Sequence, residues 1–393
     1  MRIDSDVVIA GGGVVGSACA YHLKCELEFP GSVLVIEPDP SYRHAASARS
    51  ASSIRLQFST PLNIALSDYG LTFLRDAPAR FGRGGVPADL GLVESTYLYL
   101  ATPRGRASLE ARAAIQRSQS VPVTLHGQAG LAARYPWLNT TDLAGGCDTA
   151  RGEGWFDGYA LLAFLKSAAE QAGARYLADR VTGIARSADG RIDSVALERG
   201  KTLRCGYLVN AAGTRSREVA ASAGVDLPVH PRKRNVFVFT CETALPQIPL
   251  VIDPGGLWFR SERDRFLCGP PSDPDPDVAP DDFDVDYGLF ERSAWPALAH
   301  RVPAFEAIRM TSAWAGHYDY NGFDQNAFVG PVPGIPNFLL ASGFSGHGLQ
   351  HAPGIGRGLA EYLCFGAYRS LDLTPLSVAR YAANAPLREL NVI

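Results

Sequence analysis

The chain has 393 residues, 46 % hydrophobic and 20 % charged, which is the composition of an ordinary folded protein large enough for two joined domains. A formal net charge of −3 offers no footprint for nucleic acid or an anionic membrane, and no apolar run approaches the roughly 18–20 residues of a membrane-crossing helix. Seven cysteines without a CxxC pair and eight histidines without HExxH spacing argue against a disulfide framework or a metal site, and for reduced thiols in a cytoplasmic protein.

Residues 6–37 predict a βαβ unit: an apolar strand, a glycine turn, a helix of small residues and a second apolar strand ending at Glu37. A strand this close to the start leaves no room for a signal peptide. Residues 59–80 have helical periodicity, with Leu62, Leu66, Tyr69 and Phe73 on one face, Ser59 or Thr60 as the cap and Pro61 in the first turn. From about Gly85 to Asp157 the pattern changes to short strands such as 95–100, with a helix near 105–118. A second strong helix is predicted over 159–172, stopped by Gly173. Strands at 175–186 and 192–197 lead to the apolar run 207–210. Residues 234–268 again alternate as β structure, 273–286 form a Pro/Asp-rich exposed connection, and a last helix covers about 353–366. Two nucleotide-type turns far apart, with alternating strands between them, predict one domain interrupted by another. Residues 1–84, 151–225 and 311–393 are assigned to the nucleotide-binding domain, and 85–150 and 226–310 to a substrate domain.

The sequence Gly11-Gly12-Gly13-Val14-Val15-Gly16 fits G-x-G-x-x-G between a strand and a helix. Gly11 permits the tight turn, Gly13 lets the backbone approach a pyrophosphate, and Gly16 lets helix and strand pack closely, while the helix N-terminus offers N–H groups to phosphate. Glu37, about twenty residues further on with Pro38 behind it, stands where a carboxylate would hold ribose hydroxyls. The motif alone does not separate NAD from FAD. Three further segments bear on that choice. Ala46 to Arg55 supplies small residues and hydroxyls (Ser47, Ser50, Ala51, Ser52) together with Arg49. The strand before Ala211, Ala212 and Gly213 ends in a tight small-residue turn. Finally, Gly343 to Gln350 is a glycine-rich loop before a helix, able to aim N–H dipoles at an electron-rich ligand edge.

In this order the segments, together with Trp314-Ala315-Gly316, Asp324 and Val329-Gly330-Pro331, resemble the D-amino acid oxidase-like superfamily of FAD-dependent oxidoreductases. That superfamily includes glycine oxidase, sarcosine oxidase and dehydrogenase, and D-amino acid dehydrogenases. Residues 48–55, 154–160 and 343–350 look most like its branch of FAD-dependent oxidoreductase domain-containing proteins, relatives of a mitochondrial respiratory-chain assembly factor. The resemblance implies an α/β fold: a Rossmann-type FAD-binding domain with an interleaved antiparallel-sheet (α+β) substrate domain. It implies that Gly11, Gly13, Val14, Val15, Gly16, Glu37 and Pro38 hold the ADP half and that Val181 meets the adenine. Ala211, Ala212 and Gly213 would approach the pyrophosphate. Ser47, Arg49, Ser50, Ala51, Ser52, Gly316, Gly346, His347, Gly348, Leu349 and Gln350 would line the flavin.

Departures from the family pattern narrow the expectation. Where relatives attach flavin to His or Cys, this chain has Ser50 and a position near Gly316, so FAD is expected to be non-covalent. Leu267 stands where the family's oxidases often carry Lys, with Arg265 the nearest cation, which favours a dehydrogenase. Tyr318 and Gln350 replace the Arg and Lys that relatives use on a substrate carboxylate, leaving Arg55 and Arg234 as candidate clamps. His347 is a further catalytic candidate, Tyr97, Trp258 and Tyr320 are candidate pocket aromatics, and Asp324 is read as structural. The resemblance thus implies oxidation of the C–N bond of a D-amino acid, an N-methyl amino acid, a cyclic imino acid or another small amine. A hydride would pass to flavin N5 and the imine product would hydrolyse, with a quinone, an electron-transfer protein or oxygen as electron acceptor. Two other readings remain: an FAD-bound assembly or scaffold protein without catalysis, and an NAD(P)-linked Rossmann dehydrogenase, for which the C-terminal glycine-rich loop has no use.

Overall fold

The computed structural model of the protein describes residues 4–80 and 89–390. Its first sheet is built on the strand Ser5–Ala10, whose residues alternate between two apolar layers. Val7 and Ile9 face one layer with Val33, Val35, Val209 and Leu339, while Val8 and Ala10 face the other with Leu34, Ile36, Leu208 and Leu340. A strand buried on both faces must read as an unbroken apolar run and suits the middle of a parallel sheet. Its neighbours are Val33–Ile36 on one side and Thr202–Asn210 on the other, both parallel, and Arg175–Leu177 and Ile335–Ser342 extend the sheet. The antiparallel hairpin Val181–Arg186 and Ile192–Leu197 pairs with the start of Thr202–Asn210.

The helices Val14–Tyr21, Pro61–Arg80, Gly158–Gln171 and Gly348–Phe365 cover the first layer. Gly348–Phe365 approaches Val14–Tyr21 so closely that a Cβ on Gly356 would lie 2.6 Å from Ala18. This last helix starts five residues before the predicted 353. It carries Pro353 internally, without the N–H that would bond Leu349.

The cap of Pro61–Arg80 also differs from expectation. Neither Ser59 nor Thr60 caps with its own hydroxyl. The Glu389 carboxylate accepts from the Ser59 N–H (2.7 Å), the Ser59 hydroxyl (2.6 Å) and the Thr60 N–H (3.0 Å). A carboxylate at a helix N-terminus meets unsatisfied donors and the positive end of the helix dipole.

The second sheet runs, in order, Ile308–Asn321, Val229–Cys241, Arg265–Gly269, Trp258–Glu262, Leu250–Ile252, Tyr97–Ala101, Gly145–Thr149 and Val123–Gly127. Phe237, Phe239, Phe259 and Val251 pack on one face against Leu298 and Phe305, and Tyr97, Tyr99, Leu250 and Ile252 lie on the other. The strand Ile308–Asn321 pairs with Val229–Cys241 from Val229↔Asn321 to Cys241↔Ile308. The domain division drawn at 310 in the sequence therefore falls within this strand. Asp324 is a structural anchor: its buried carboxylate accepts from Arg380 (2.7 and 3.0 Å), the Asn321 amide and the Leu387 N–H. Among the described residues no helix is long and apolar enough to cross a membrane.

Candidate functional site

Because Ser5–Ala10, Val33–Ile36 and Thr202–Asn210 are parallel, their C-terminal ends open on one side of the sheet, the usual place for a ligand crevice. A cavity of about 580 Å³ begins there and runs to the second sheet's face at Tyr97, Leu250 and Ile252. Gly11, Gly13, Val14, Val15, Glu37 and Pro38 lie on its wall, as do Ser47, Arg49, Ser50, Ala51, Ser52 and Val181. So do Ala211, Ala212, Gly213, Gly316, Tyr318 and Gly346 to Gln350, and both Arg55 and Arg234. Of the residues singled out for the cofactor, Gly16 alone is off the wall.

At the sheet end the three motif glycines have separable reasons. Gly11 has φ +99°, and a Cβ there would lie 2.2 Å from the Ala211 carbonyl oxygen. A Cβ on Gly16 would lie 2.0 Å from the Gly11 oxygen, so that glycine serves strand–helix packing. A Cβ on Gly13 would make only an ordinary contact, 3.5 Å from the Ser47 hydroxyl. Nothing in the protein requires glycine at 13, and the missing Cβ leaves backbone open to the cavity. The Glu37 carboxylate accepts from the Gly12 N–H (2.8 Å) and the Asp39 N–H (2.9 Å), and burial nonetheless holds its pKa above the ordinary value. Beside it the Tyr42 hydroxyl is buried on the cavity wall with no hydrogen-bond partner. Buried hydroxyls seldom stay unpaired, so this one suits a ribose hydroxyl. Sequence reasoning missed Tyr42, although its place just after Glu37 was a usable signal. These features fit the ADP half of a dinucleotide.

At the other end the loop before the last helix is pinned by the strand Ile308–Asn321. The N–H groups of Gly343 and Phe344 donate to the Asp319 carboxylate (2.7 and 3.2 Å), that of Ser345 to the Asp319 carbonyl (3.1 Å), and that of Asn321 to the Ser345 hydroxyl (3.0 Å). These bonds hold Ser345 at φ +51°. Gly346 has φ +94°, which favours glycine, and a Cβ there would also lie 2.6 Å from the Tyr318 ring. The helix then begins at Gly348 with no side-chain cap, leaving its positive end at the cavity. Burial pushes the Asp319 carboxyl up to about 6 in spite of the two backbone bonds. Sequence reasoning passed over Asp319; a carboxylate between two tyrosines on a strand, where Asp is disfavoured, was the available signal.

Arg55 is 2 % exposed. Its guanidinium donates to the Tyr99 hydroxyl (2.8 Å), lies 3.1 Å from His347 Nε2 and covers the Phe58 ring at 4.3 Å. Its backbone N–H donates to the Gln350 side-chain oxygen (2.9 Å), which also accepts from the Ser67 hydroxyl (3.4 Å). The Gln350 amide thus braces neighbouring segments, and its backbone is what the helix N-terminus offers the cavity. Burial, then the charge of Arg55, drives the His347 pKa well below its ordinary value. Its imidazole is neutral and accepting, which does not suit the acid–base role considered for it.

Arg234 stacks over the Tyr318 ring at 5.0 Å and is held by Asp275 through two bonds (2.6 and 2.9 Å). Arg49 donates to the carbonyls of Arg43 and Ala315 (both 2.8 Å) and covers Phe283 at 4.5 Å. Tyr97 and Trp258 line the cavity as expected; Tyr320 does not, its ring lying under Arg232 at 4.3 Å.

A family model, DAO, described as FAD dependent oxidoreductase, matches residues 6–362. The chain is 37 % identical over 99 % of its length to FAD-dependent oxidoreductase domain-containing protein 1 of Xenopus laevis, covering 85 % of that protein. It is 27 % identical to the mitochondrial dimethylglycine dehydrogenase of Homo sapiens over 96 % of this chain and 44 % of that one. Among solved structures, glycine oxidase from Geobacillus kaustophilus superposes with a TM-score of 0.81 at 25 % identity, covering 96 % of this chain and 98 % of that one. L-proline dehydrogenase from P. horikoshii superposes with a TM-score of 0.84 at 21 % identity, covering 98 % and 100 %.

Proposed function

This chain belongs to the DAO family of FAD-dependent oxidoreductases, and from that premise we propose that it oxidises the C–N bond of a small amine or amino acid, giving an imine that water hydrolyses. The observation that carries the reading is the single cavity joining the glycine turn and Glu37 to an apolar chamber at Tyr97, Leu250, Ile252 and Trp258. One end suits the ADP half of the cofactor and the other a small organic substrate. Relatives named dimethylglycine dehydrogenase, 4-methylaminobutanoate oxidase and glycine oxidase support an amine or amino-acid substrate.

Bound FAD supplies the acceptor for the hydride that leaves the substrate carbon. The chain supplies binding, orientation and electrostatics. Gly11, Gly13, Glu37, Ala212 and Gly213 would hold the ADP half, and the open N-terminus of the helix from Gly348 would stabilise negative charge developing near it. The apolar lining and the cationic Arg55 and Arg234 on the same wall both disfavour an ammonium, which leaves the amine neutral with its lone pair available. Ser50, at the place where relatives attach flavin to His, is on the cavity wall, and no cysteine is on it among the described residues; both support non-covalent FAD. Leu267 is buried in Arg265–Gly269 and off that wall, so it does not bear on oxygen use; no lysine is on the wall among the described residues, which favours a dehydrogenase passing electrons to a quinone or an electron-transfer protein over an oxidase using oxygen. All seven cysteines are unpaired, which supports a reducing compartment such as the cytoplasm.

The test is anaerobic mixing of the purified holoenzyme with D-amino acids, N-methyl amino acids, cyclic imino acids and simple amines. Bleaching of the flavin absorbance by one class is the expected result. A flavin that ignores every class yet bleaches with dithionite would overturn the reading and favour a scaffold protein.

A further inference from the structure

A planar guanidinium on the wall of an amine site, beside the loop that follows Gly343, is the natural fork for a substrate carboxylate. Arg234 has that position, but its fork is already filled. One terminal nitrogen donates to Asp275 Oδ1 at 2.6 Å and the other to Asp275 Oδ2 at 2.9 Å, the two parallel bonds a bound amino acid would make. The first nitrogen also donates to the Lys233 carbonyl (3.0 Å). Asp275 is itself fixed, since Arg232 donates to it at 3.1 Å. The segment that carries it is held further along by Lys233 on Asp282 (2.8 Å) and by Phe283, which stacks on His317 at 4.3 Å and also touches Arg49 and His44. A tethered carboxylate competes at an effective concentration of about millimolar, which a dilute free amino acid does not match. The cavity wall that Arg234 shares also carries Val236, Tyr97, Leu250, Ile252 and Trp258, and its other candidate clamp, Arg55, is turned to the Tyr99 hydroxyl and His347.

Resting on the amine-oxidising reading above, we propose that Asp275 occupies on Arg234 the position of a substrate carboxylate. The site then selects amines with apolar substituents and no carboxylate beside the oxidised C–N bond. The redox balance is unchanged: the C–H pair leaves as hydride to FAD, the N–H proton goes to solvent, and the imine takes up water to give a carbonyl compound and an amine. Asp275 is thus a specificity-determining residue that excludes one substrate class by answering its recognition group internally.

The test uses matched pairs on the holoenzyme: N-methylphenethylamine against N-methylphenylalanine, and pyrrolidine against proline, reading anaerobic flavin reduction. The expected result is reduction by the carboxylate-free member at concentrations at least tenfold lower than by the acid. In Asp275→Asn the acid should gain at least tenfold relative to its partner, and adding Arg234→Met should cancel that gain. Preference of the wild-type protein for the acid, or an unchanged ratio in Asp275→Asn, overturns the proposal while leaving amine oxidation intact. Silence from both members of every pair overturns the amine reading itself. Should Asp275→Asn fail to fold, the wild-type preference within the pairs decides alone.

Discussion

A guanidinium nitrogen of Arg55 and Nε2 of His347 lie 3.1 Å apart, and because a guanidinium can only donate, the imidazole must accept there and carry its proton on Nδ1. Burial, then the charges of Arg55 and His351, keep His347 neutral, and His351 is lowered to about 3 for similar reasons. Each folded-state pKa is below its unfolded value, so the stability tied to each is present above about pH 6.5 and is lost as pH falls below it. His347→Gln, which can still accept, should leave the shape of the pH–rate profile between about pH 5 and 8 unchanged. His347→Phe should lower stability by about 1–3 kcal/mol in urea titration, because a buried donor loses its acceptor. A limb near neutrality that vanishes in His347→Gln would show that the imidazole ionises after all.

The glycines at 13 and 16 should fail in different ways. Gly16→Ala must displace the Gly11 carbonyl, so the variant should be unstable even with flavin stripped away. Gly13→Ala meets only the Ser47 hydroxyl at 3.5 Å, so the apoprotein should melt close to the wild type. Its affinity for FAD, measured by recovery of flavin fluorescence on dilution, should drop by at least about tenfold, or ~1.4 kcal/mol. Equal losses of apoprotein stability in both variants would remove the case for a ligand at Gly13.

For Asp319 the direction of the pH effect is the reverse of the usual carboxylate case. Its folded pKa of about 6 is above the ordinary 3.8, so its contribution is full below the ordinary value and falls as pH rises through 6. Asp319→Asn keeps an oxygen for the N–H groups of Gly343 and Phe344 and removes the buried charge. Urea midpoints near about pH 5 and about pH 7.5 should show the variant gaining on the wild type at the higher pH, by on the order of 1–3 kcal/mol. Parallel curves would mean that Asp319 is fully ionised in the fold.

Glu389 caps a helix more than three hundred residues earlier in the chain, so its removal should be felt far from the C-terminus. Glu389→Ala leaves the N–H groups of Ser59 and Thr60 without their acceptor and should cost about 1–2 kcal/mol. Hydrogen exchange should show the loss in the first turn of Pro61–Arg80. An effect confined to the tail around Glu389 would contradict the capping role.

The features legible in the sequence are those whose determinants are local. Gly11, Gly13, Gly16 and Glu37 carry their spacing with them, and the apolar run at 207–210 could be little other than a buried strand. The C-terminal loop could be placed because Gly343, Gly346 and Gly348 punctuate it just before a helix. What stayed hidden depends on pairs brought together by the tertiary fold. Arg234 offers a sequence reader a free cation, and only the returning segment brings Asp275 onto it. Gln350 looks like a ligand-binding amide until Arg55 is seen donating its backbone N–H to it. Asp319 stands out as a carboxylate on a strand, but that two loop N–H groups converge on it comes only from the fold.

The order of the sheet has a consequence for how the protein is made. The first strand's two partners are Val33–Ile36, close behind it, and Thr202–Asn210, which is joined in turn by Ile335–Ser342. At ribosomal rates of about 5–20 residues per second, some 15–60 seconds separate the emergence of Glu37 from that of Gly346. During that interval the glycine turn exists without the far wall of its cavity, and one apolar edge of the nascent sheet is bare. The cavity's last wall, Gly346 to Gln350, is thus the latest part of it to be made, and the glycine turn formed first has to wait for it.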